Sequence, residues 1–426
     1  MTIRLPFAPT CEDALDPGRR LFLGGVSATF ASWAMLPRLG HAAGTGDPRL
    51  LVVILRGALD GLATLAPVGD PYFSALRPDE SVMTGAVRLD DLFALNPAMP
   101  HLAAMFGRGE ALGVHAVATP YRGRSHFDGQ DVLESGYTRH QRADTGWLNR
   151  ALQRLAAAGE RATPREGLAV GPTVPLILRG GAPVTAWGPD GGAAPSLDTI
   201  ARLRALYADT DPALFGALEA GLRIEAVAAA DGGMSATGTD GGMAMMGGTS
   251  LRGIERAFVE AAAGAGRLLA DPEGPRVGAL SFDGWDTHSN DGVLDGRLSR
   301  QLSALDGALE ALRTSMSAVW SQTVVAVVTE FGRTAAENGS SGTDHGTGGA
   351  MLLLGGAVRG GRVLADWPGL APERLHEGRD LTPTTDMRGV LGGVLRDHLG
   401  LARGDLAHVF PDAGSLRPTE GLVRGL

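Results

Sequence analysis

The sequence predicts an α/β protein with a mostly parallel central sheet covered by helices on both faces. Three observations carry this. Apolar, β-branched runs recur at 50–55 (LLVVIL), 111–117 (ALGVHAV), 276–282 (RVGALSF) and 323–328 (TVVAVV). They are continuous rather than alternating, as strands buried on both faces are. Segments of helical periodicity fill the intervals between them. Each run also ends in a polar cluster, and open α/β sheets bind ligands at the carboxyl ends of their strands.

The chain has 426 residues, of which 44% are hydrophobic and 20% charged, an ordinary globular balance. A net charge of -9 argues against nucleic-acid binding, which needs a basic face. The amino terminus reads as an address. Gly18-Arg19-Arg20-Leu21-Phe22-Leu23 has the pattern of a twin-arginine export signal, followed by a diluted apolar run over 21–36 and small residues at 40–43. That run is shorter than the ~20 residues of a membrane-spanning helix. The expectation is a signal peptide over 1–43, delivery to the periplasm or beyond by the twin-arginine translocase, and no stable membrane span after cleavage. An uncleaved anchor or a fortuitous arginine pair is the bland alternative. The single cysteine, Cys11, precedes the signal. A mature chain over 44–426 then has neither a disulfide nor a thiol catalyst, and any metal is held by His and carboxylate oxygens.

Taken in order, 50–55 is the first strand and runs into Asp60 in a glycine-bounded turn. A helix over 98–106 precedes the strand at 111–117. The polar stretch TPYRGRSHFDGQD (119–131) follows, with Ser125 placed to cap a helix. A serine there receives the positive end of the helix dipole, and Arg122 and Arg124 add charge for an anion. Residues 145–158 have helical periodicity. The stretch 168–187 reads as short strands broken by Gly and Pro, part of an inserted hairpin or cap at about 165–250. Within it 197–228 is helical and 231–250 is a Gly/Met/Ala loop. After a helix at 251–270, the strand at 276–282 ends in Asp283-Gly284-Trp285-Asp286-Thr287-His288. A helix over 293–320 leads to the strand at 323–328, which stops at Glu330-Phe331-Gly332-Arg333 and the loop containing Asp344-His345. A strand at 351–354 and a helix at 384–399 close the chain.

Four strand ends thus carry polar groups: Asp60; Ser125, His126 and Asp128; Asp283, Asp286 and His288; Glu330, Arg333, Asp344 and His345. Asp60 on its own reads as a turn residue or helix cap. The histidine-bearing clusters read as metal or catalytic sites, set among glycines that allow close approach. Mixed His/carboxylate ligation suits Zn²⁺ or Mn²⁺, or Mg²⁺ or Ca²⁺ where oxygens dominate. Such an ion polarises an ester oxygen or activates a serine or water. Arg122, Arg124 and Arg333 then bind a tetrahedral anion, or else form surface salt bridges.

LRGALDGL, HAVATPYRGRSHFDGQDVLESG, SFDGWDTH and VTEFGRTAAENGSSGTDHGTGG together resemble the domain of unknown function 1501 family over nearly the whole mature chain. That family is similar to the alkaline phosphatase and sulfatase superfamily. The resemblance implies that fold, divalent metals at the carboxyl ends of the sheet, and Ser125 as nucleophile or its equivalent. It further implies Asp60, Asp283 or Asp286 with His288, Glu330 and His345 as metal ligands. Phe331 stands where the family pattern expects a histidine. The site therefore holds one metal, recruits Asp344 or His126, or has lost hydrolysis. The functional expectation is an exported metal-dependent hydrolase or transferase acting on a small-molecule or glycan phosphate or sulfate ester, with Ser125, His126 and Arg333 as catalytic groups. The alternative is a non-catalytic envelope protein that binds a glycan or a partner through the same rim.

Overall fold

The computed structural model describes residues 46–78, 85–157, 166–189, 197–229, 251–414 and 416–424. The expected signal peptide, Cys11 and the Gly/Met loop at 231–250 lie outside the described residues.

Nine strands form one sheet: β1 (Arg49–Arg56), β2 (Ala111–Ala118), β3 (Gly167–Val170), β4 (Val184–Trp187), β5 (Val277–Asp283), β6 (Thr323–Thr329), β7 (Gly349–Leu354), β8 (Arg362–Leu364) and β9 (Thr385–Asp386). Their order is β8-β2-β7-β6-β1-β5-β3-β4, with β9 also beside β2. Every pairing is parallel except those of β7, which runs against both β6 and β2. The carboxyl ends of β1, β2, β5 and β6 therefore share one rim, where β7 begins.

β1 shows why its sequence is continuously apolar. Leu51, Val53 and Leu55 enter one core with the helices Pro100–Gly107, Leu251–Ala270 and Arg297–Ser315. Leu50, Val52 and Ile54 enter a second core with Trp147–Ala157 and Met387–Asp397. Alternate side chains point to opposite faces, and a helix layer waits on each. Each fully buried aliphatic side chain contributes about 1.5–3 kcal/mol. The expected α/β class holds.

The expected insertion at about 165–250 is not one cap. β3 and β4 are parallel neighbours that extend the main sheet past β5, rather than a hairpin. Short length and Gly/Pro interruptions hid them as sheet strands, because pairing partners far away in sequence supply their order. Among the described residues, 197–222 fall in a compact unit apart from the main one. In it the helix Leu197–Thr210 and the first part of Pro212–Ala229 are linked by an Arg204–Glu219 ion pair.

Candidate metal centre at the strand rim

Each candidate ligand reaches the rim from a different strand end. After β2 the chain turns at Thr119, and the helix α1 (His126–Ser135) starts with Ser125 as its N-cap, the hydroxyl accepting from Asp128 N at 3.4 Å. Gly136, at φ 75°, ends that helix in the left-handed region that glycine enters without strain. His126, Gln130 and Glu134 recur every four residues, so one helical face presents all three to the strand ends. Gly57, just past β1, has φ +116°, and a Cβ there would lie 2.4 Å from the Asp286 backbone nitrogen. That contact seats the segment bearing Asp286 against the end of β1.

Ligand atoms of His126, Asp286 and His345 converge, and His288 stands at their edge. His345 Nε2 lies 2.9 Å from His126 Nε2, 3.0 Å from His288 Nε2 and 3.0 Å from Asp286 Oδ1. Asp286 Oδ1 is 2.9 Å from His288 Nε2 and 3.4 Å from His126 Nε2. Around a zinc ion with Zn–N of ~2.0–2.1 Å, adjacent tetrahedral ligands stand about 3.3 Å apart. His126, Asp286 and His345 form the group whose ligand atoms all lie within 4.8 Å of one another, and His288 adjoins it through Asp286 and His345 without closing on His126.

The far sides of the imidazoles explain why Nε2 faces inward. His126 Nδ1 is 2.7 Å from Glu330 Oε1, His345 Nδ1 is 2.9 Å from the Arg124 carbonyl, and His288 Nδ1 is 3.4 Å from Asp344 Oδ1. Each partner accepts hydrogen bonds, so the ring proton sits on Nδ1 and the Nε2 lone pair turns inward. Three such lone pairs and a carboxylate oxygen repel one another unless a cation lies between them. The donor set fits a divalent ion of zinc type.

The electrostatics agree. Burial opposes the charge on Asp286, but the Arg333 hydrogen bond, His345 and the nearby His126 and His288 hold its carboxyl well below the usual carboxylate range. Burial also opposes the charge on Glu330, yet bonds from His126, the backbone and Gln130 outweigh it and lower its pKa. His126 is raised, first through its hydrogen bond to Glu330.

The structure therefore redistributes the roles expected from sequence. Asp286 and His345 come together as candidate ligands with His126, and His288 adjoins them. Glu330, expected as a ligand, stands behind His126 and accepts from Gly57 N at 2.8 Å, because the fully buried carboxylate is walled off by that ring. Asp60, likewise expected to bind metal, caps the Gly61–Thr64 turn through Leu62 N and Ala63 N and pairs with the buried Arg77 at 3.0 Å. Asp283 is exposed at the end of β5 and outside the cluster. Asp344 braces His288 and Asn338. Ser125 is committed to capping and is not among the converging groups.

The expected three-arginine anion site is not assembled. Arg122 donates to the carbonyls of Thr119 and Tyr121. Arg124 pairs with Glu377 at 2.7 Å and Asp380 at 2.8 Å. Arg333, fully buried, donates to Asp286 Oδ1 at 2.8 Å, to Thr343 Oγ1 at 3.0 Å and to the carbonyls of Thr287 and Thr343. It orients a ligand rather than a substrate. Phe331 stacks on His126 at 5.0 Å and serves as a wall behind the ring.

Sequence reasoning missed Gln130, Arg77 and Thr343. Gln130 was legible as the residue one helical turn after His126. Nothing local marks Arg77 or Thr343.

Fold and site together define an α/β protein with a candidate metal-binding cluster of His126, Asp286 and His345 on its sheet rim. A family model described as a protein of unknown function (DUF1501) matches residues 81–410, and the chain belongs to that family. No curated protein matches. Thirty chains among the solved structures match. One is Ps i-CgsB in complex with k-i-k-neocarrahexaose, at 11% identity over 75% of this chain and 68% of that one, with a TM-score of 0.36. Ps i-CgsB alone matches at 11% identity over the same shares, with a TM-score of 0.35. Murine ectonucleotide pyrophosphatase/phosphodiesterase 5, inactive and in complex with AMP, matches at 9% identity over 88% of this chain and 97% of that one, with a TM-score of 0.33.

Proposed function

We propose that the protein is an exported, metal-dependent hydrolase of a phosphate or sulfate ester, with the ion held by His126, His345 and Asp286 and with His288 beside them. The observation that carries this reading is the convergence of the His126 and His345 imidazoles and the Asp286 carboxylate at the strand rim, with His288 alongside. The side chains of Asp286 and His288 are 40% and 45% exposed, so a substrate can approach from their side.

A divalent ion at this point supplies Lewis-acid polarisation of an ester oxygen and lowers the pKa of water toward neutrality. The chain's own residues prepare that chemistry. Glu330 keeps the Nδ1 proton on His126, and Arg333 holds Asp286 ionised and oriented. The Asp380–Arg124 and Arg379 contacts brace the carbonyls of the His345 region. Water rather than Ser125 is the nucleophile in this reading, because the serine hydroxyl is engaged as a helix cap.

One observation favours a second reading, a non-catalytic protein that binds a glycan or partner. Asp286 Oδ1 is already engaged by Arg333, His345 and His288, so the cluster is satisfied without a substrate. Both readings keep the export signal around Arg19-Arg20, and the described residues contain no helix long and apolar enough to cross a membrane. Replacing both arginines with lysine should hold the protein in the cytoplasm; unchanged export would remove that part of the proposal.

The deciding experiment measures metal content and turnover of 4-nitrophenyl phosphate and sulfate for the full chain, His288→Ala and His345→Ala. Stoichiometric metal and turnover, both lost in the variants, support the hydrolase. Metal without turnover across an ester panel favours the binding protein. A folded, metal-free wild type overturns both the ligand set and the hydrolase.

A further inference from the structure

Behind Asp286 lies a second group of buried charges that the proposed chemistry does not use. Thr343 Oγ1, which accepts from Arg333 Nε, stands 3.5 Å from both Asp60 Oδ2 and Asp291 Oδ2. Arg77 approaches Asp60 Oδ2 at 3.0 Å and Oδ1 at 3.3 Å. It also donates to the carbonyls of Ala335 and Thr334, each at 2.8 Å. Asp60, Asp291, Arg77 and Arg333 are all buried.

Carboxylates grouped this closely beside a metal centre are where a second divalent ion would be sought. Here the compensating charge is already covalently present. Asp60 Oδ1 accepts from Leu62 N, Ala63 N and Arg77, and its Oδ2 faces Arg77 and Thr343, so neither oxygen is spare. A dication placed beside Asp60 or Asp291 would meet two guanidinium charges at low local dielectric and would have to strip Asp60 from Arg77. Burial and the neighbouring Asp60 push the Asp291 carboxyl up to about 6, so proton uptake is a further way to satisfy it.

We infer that the centre is built to take one divalent ion, with the Arg77 and Arg333 guanidinium groups standing in for the charge of a second. The inference rests on the single-ion reading above. It assigns Arg77 and Asp60 to a charge-compensating pair rather than to metal binding, and Arg333 to positioning Asp286.

The test is equilibrium dialysis of the chelator-stripped full chain against zinc and against manganese, read as metal per chain by mass spectrometry. A plateau at one ion, unchanged in excess metal, is expected. Asp60→Asn/Arg77→Met removes both charges together and should keep one ion with affinity within about threefold of wild type. A second ion in the wild type overturns the inference while leaving the His126, Asp286 and His345 site standing. Loss of the ion in the double variant also overturns it, since Asp60 would then be a ligand. No bound metal at all overturns the ligand set itself. Should the double variant fail to fold, the wild-type plateau alone decides between one ion and two.

Discussion

Glu330 Oε1 lies 2.7 Å from His126 Nδ1, and this contact decides which nitrogen of the imidazole faces His345 and Asp286. A carboxylate behind a histidine fixes its tautomer, restricts ring rotation and raises its basicity toward a cation on the other side. Phe331 completes the arrangement by stacking on the ring.

Glu330→Ala should therefore weaken metal binding by about 10–100-fold although Glu330 is not itself among the converging atoms. Glu330→Gln keeps an acceptor without the charge and should weaken it less. Competition with a chromogenic zinc chelator measures both. Equal affinity for wild type and Glu330→Ala would show that His126 is not oriented this way.

Arg333→Lys preserves the charge but loses the fork that reaches Asp286, Thr287 and Thr343 together. Metal affinity should fall by about tenfold, since a misdirected Asp286 is a poorer ligand. Urea unfolding of the metal-free forms should show a loss of about 2 kcal/mol, below the full cost of breaking a buried pair because Asp286 is partly in water. An unchanged affinity would make Arg333 purely structural.

Gly57→Ala should be disproportionately damaging for one added methyl. The backbone is at φ +116° and the new Cβ would stand 2.4 Å from Asp286 N. A loss of about 2 kcal/mol or more is expected, together with weakened metal binding, because the clash displaces a ligand-bearing segment. Thermal melts with and without zinc separate the two effects. A variant as stable as wild type would mean that the Trp285–Asp286 segment yields easily.

Glu166 supplies a pH signature remote from the metal centre. Burial pushes its carboxyl up to about 7, opposed by a bond from Thr185. The folded value lies above the unfolded one, so the fold favours the protonated form. That stability is complete below the unfolded value of 4.5, declines as pH rises, and is gone once pH has passed about 7. Stability should drop by on the order of 2 kcal/mol between about pH 5 and about pH 8 from this group, and Glu166→Gln should abolish that part of the slope. Parallel slopes for the two proteins would contradict it.

Much of the architecture was legible from local pattern. The runs at 50–55, 111–117 and 323–328 are apolar because both faces of their strands are covered, and the structure extends each by only a residue or two. The loop GTDHGTGG was legible as a site but for a different reason than openness. A Cβ at Gly342 would strike the His288 backbone at 2.5 Å, and one at Gly346 the Arg333 carbonyl oxygen at 2.3 Å. Those glycines let two stretches of main chain pass close together, and His345 is held by that packing. The place of β3 and β4 in the main sheet was not legible, because β3 joins it through hydrogen bonds to β5, about a hundred residues onward, and β4 joins it through β3.

The sequence by itself determined the strands, the polar clusters at their carboxyl ends, and the residue types available to a metal there. Hydrophobic periodicity and turn chemistry act over a few residues, and they are written locally. Only the tertiary structure decided which of those side chains come together. His126 meets His345 across 219 residues, Glu330 falls behind a ring instead of beside a cation, and Arg77 cancels the charge of Asp60. Those outcomes depend on rotamers and on the direction from which each strand end enters the rim, and ligation requires atoms to converge within a few tenths of an ångström.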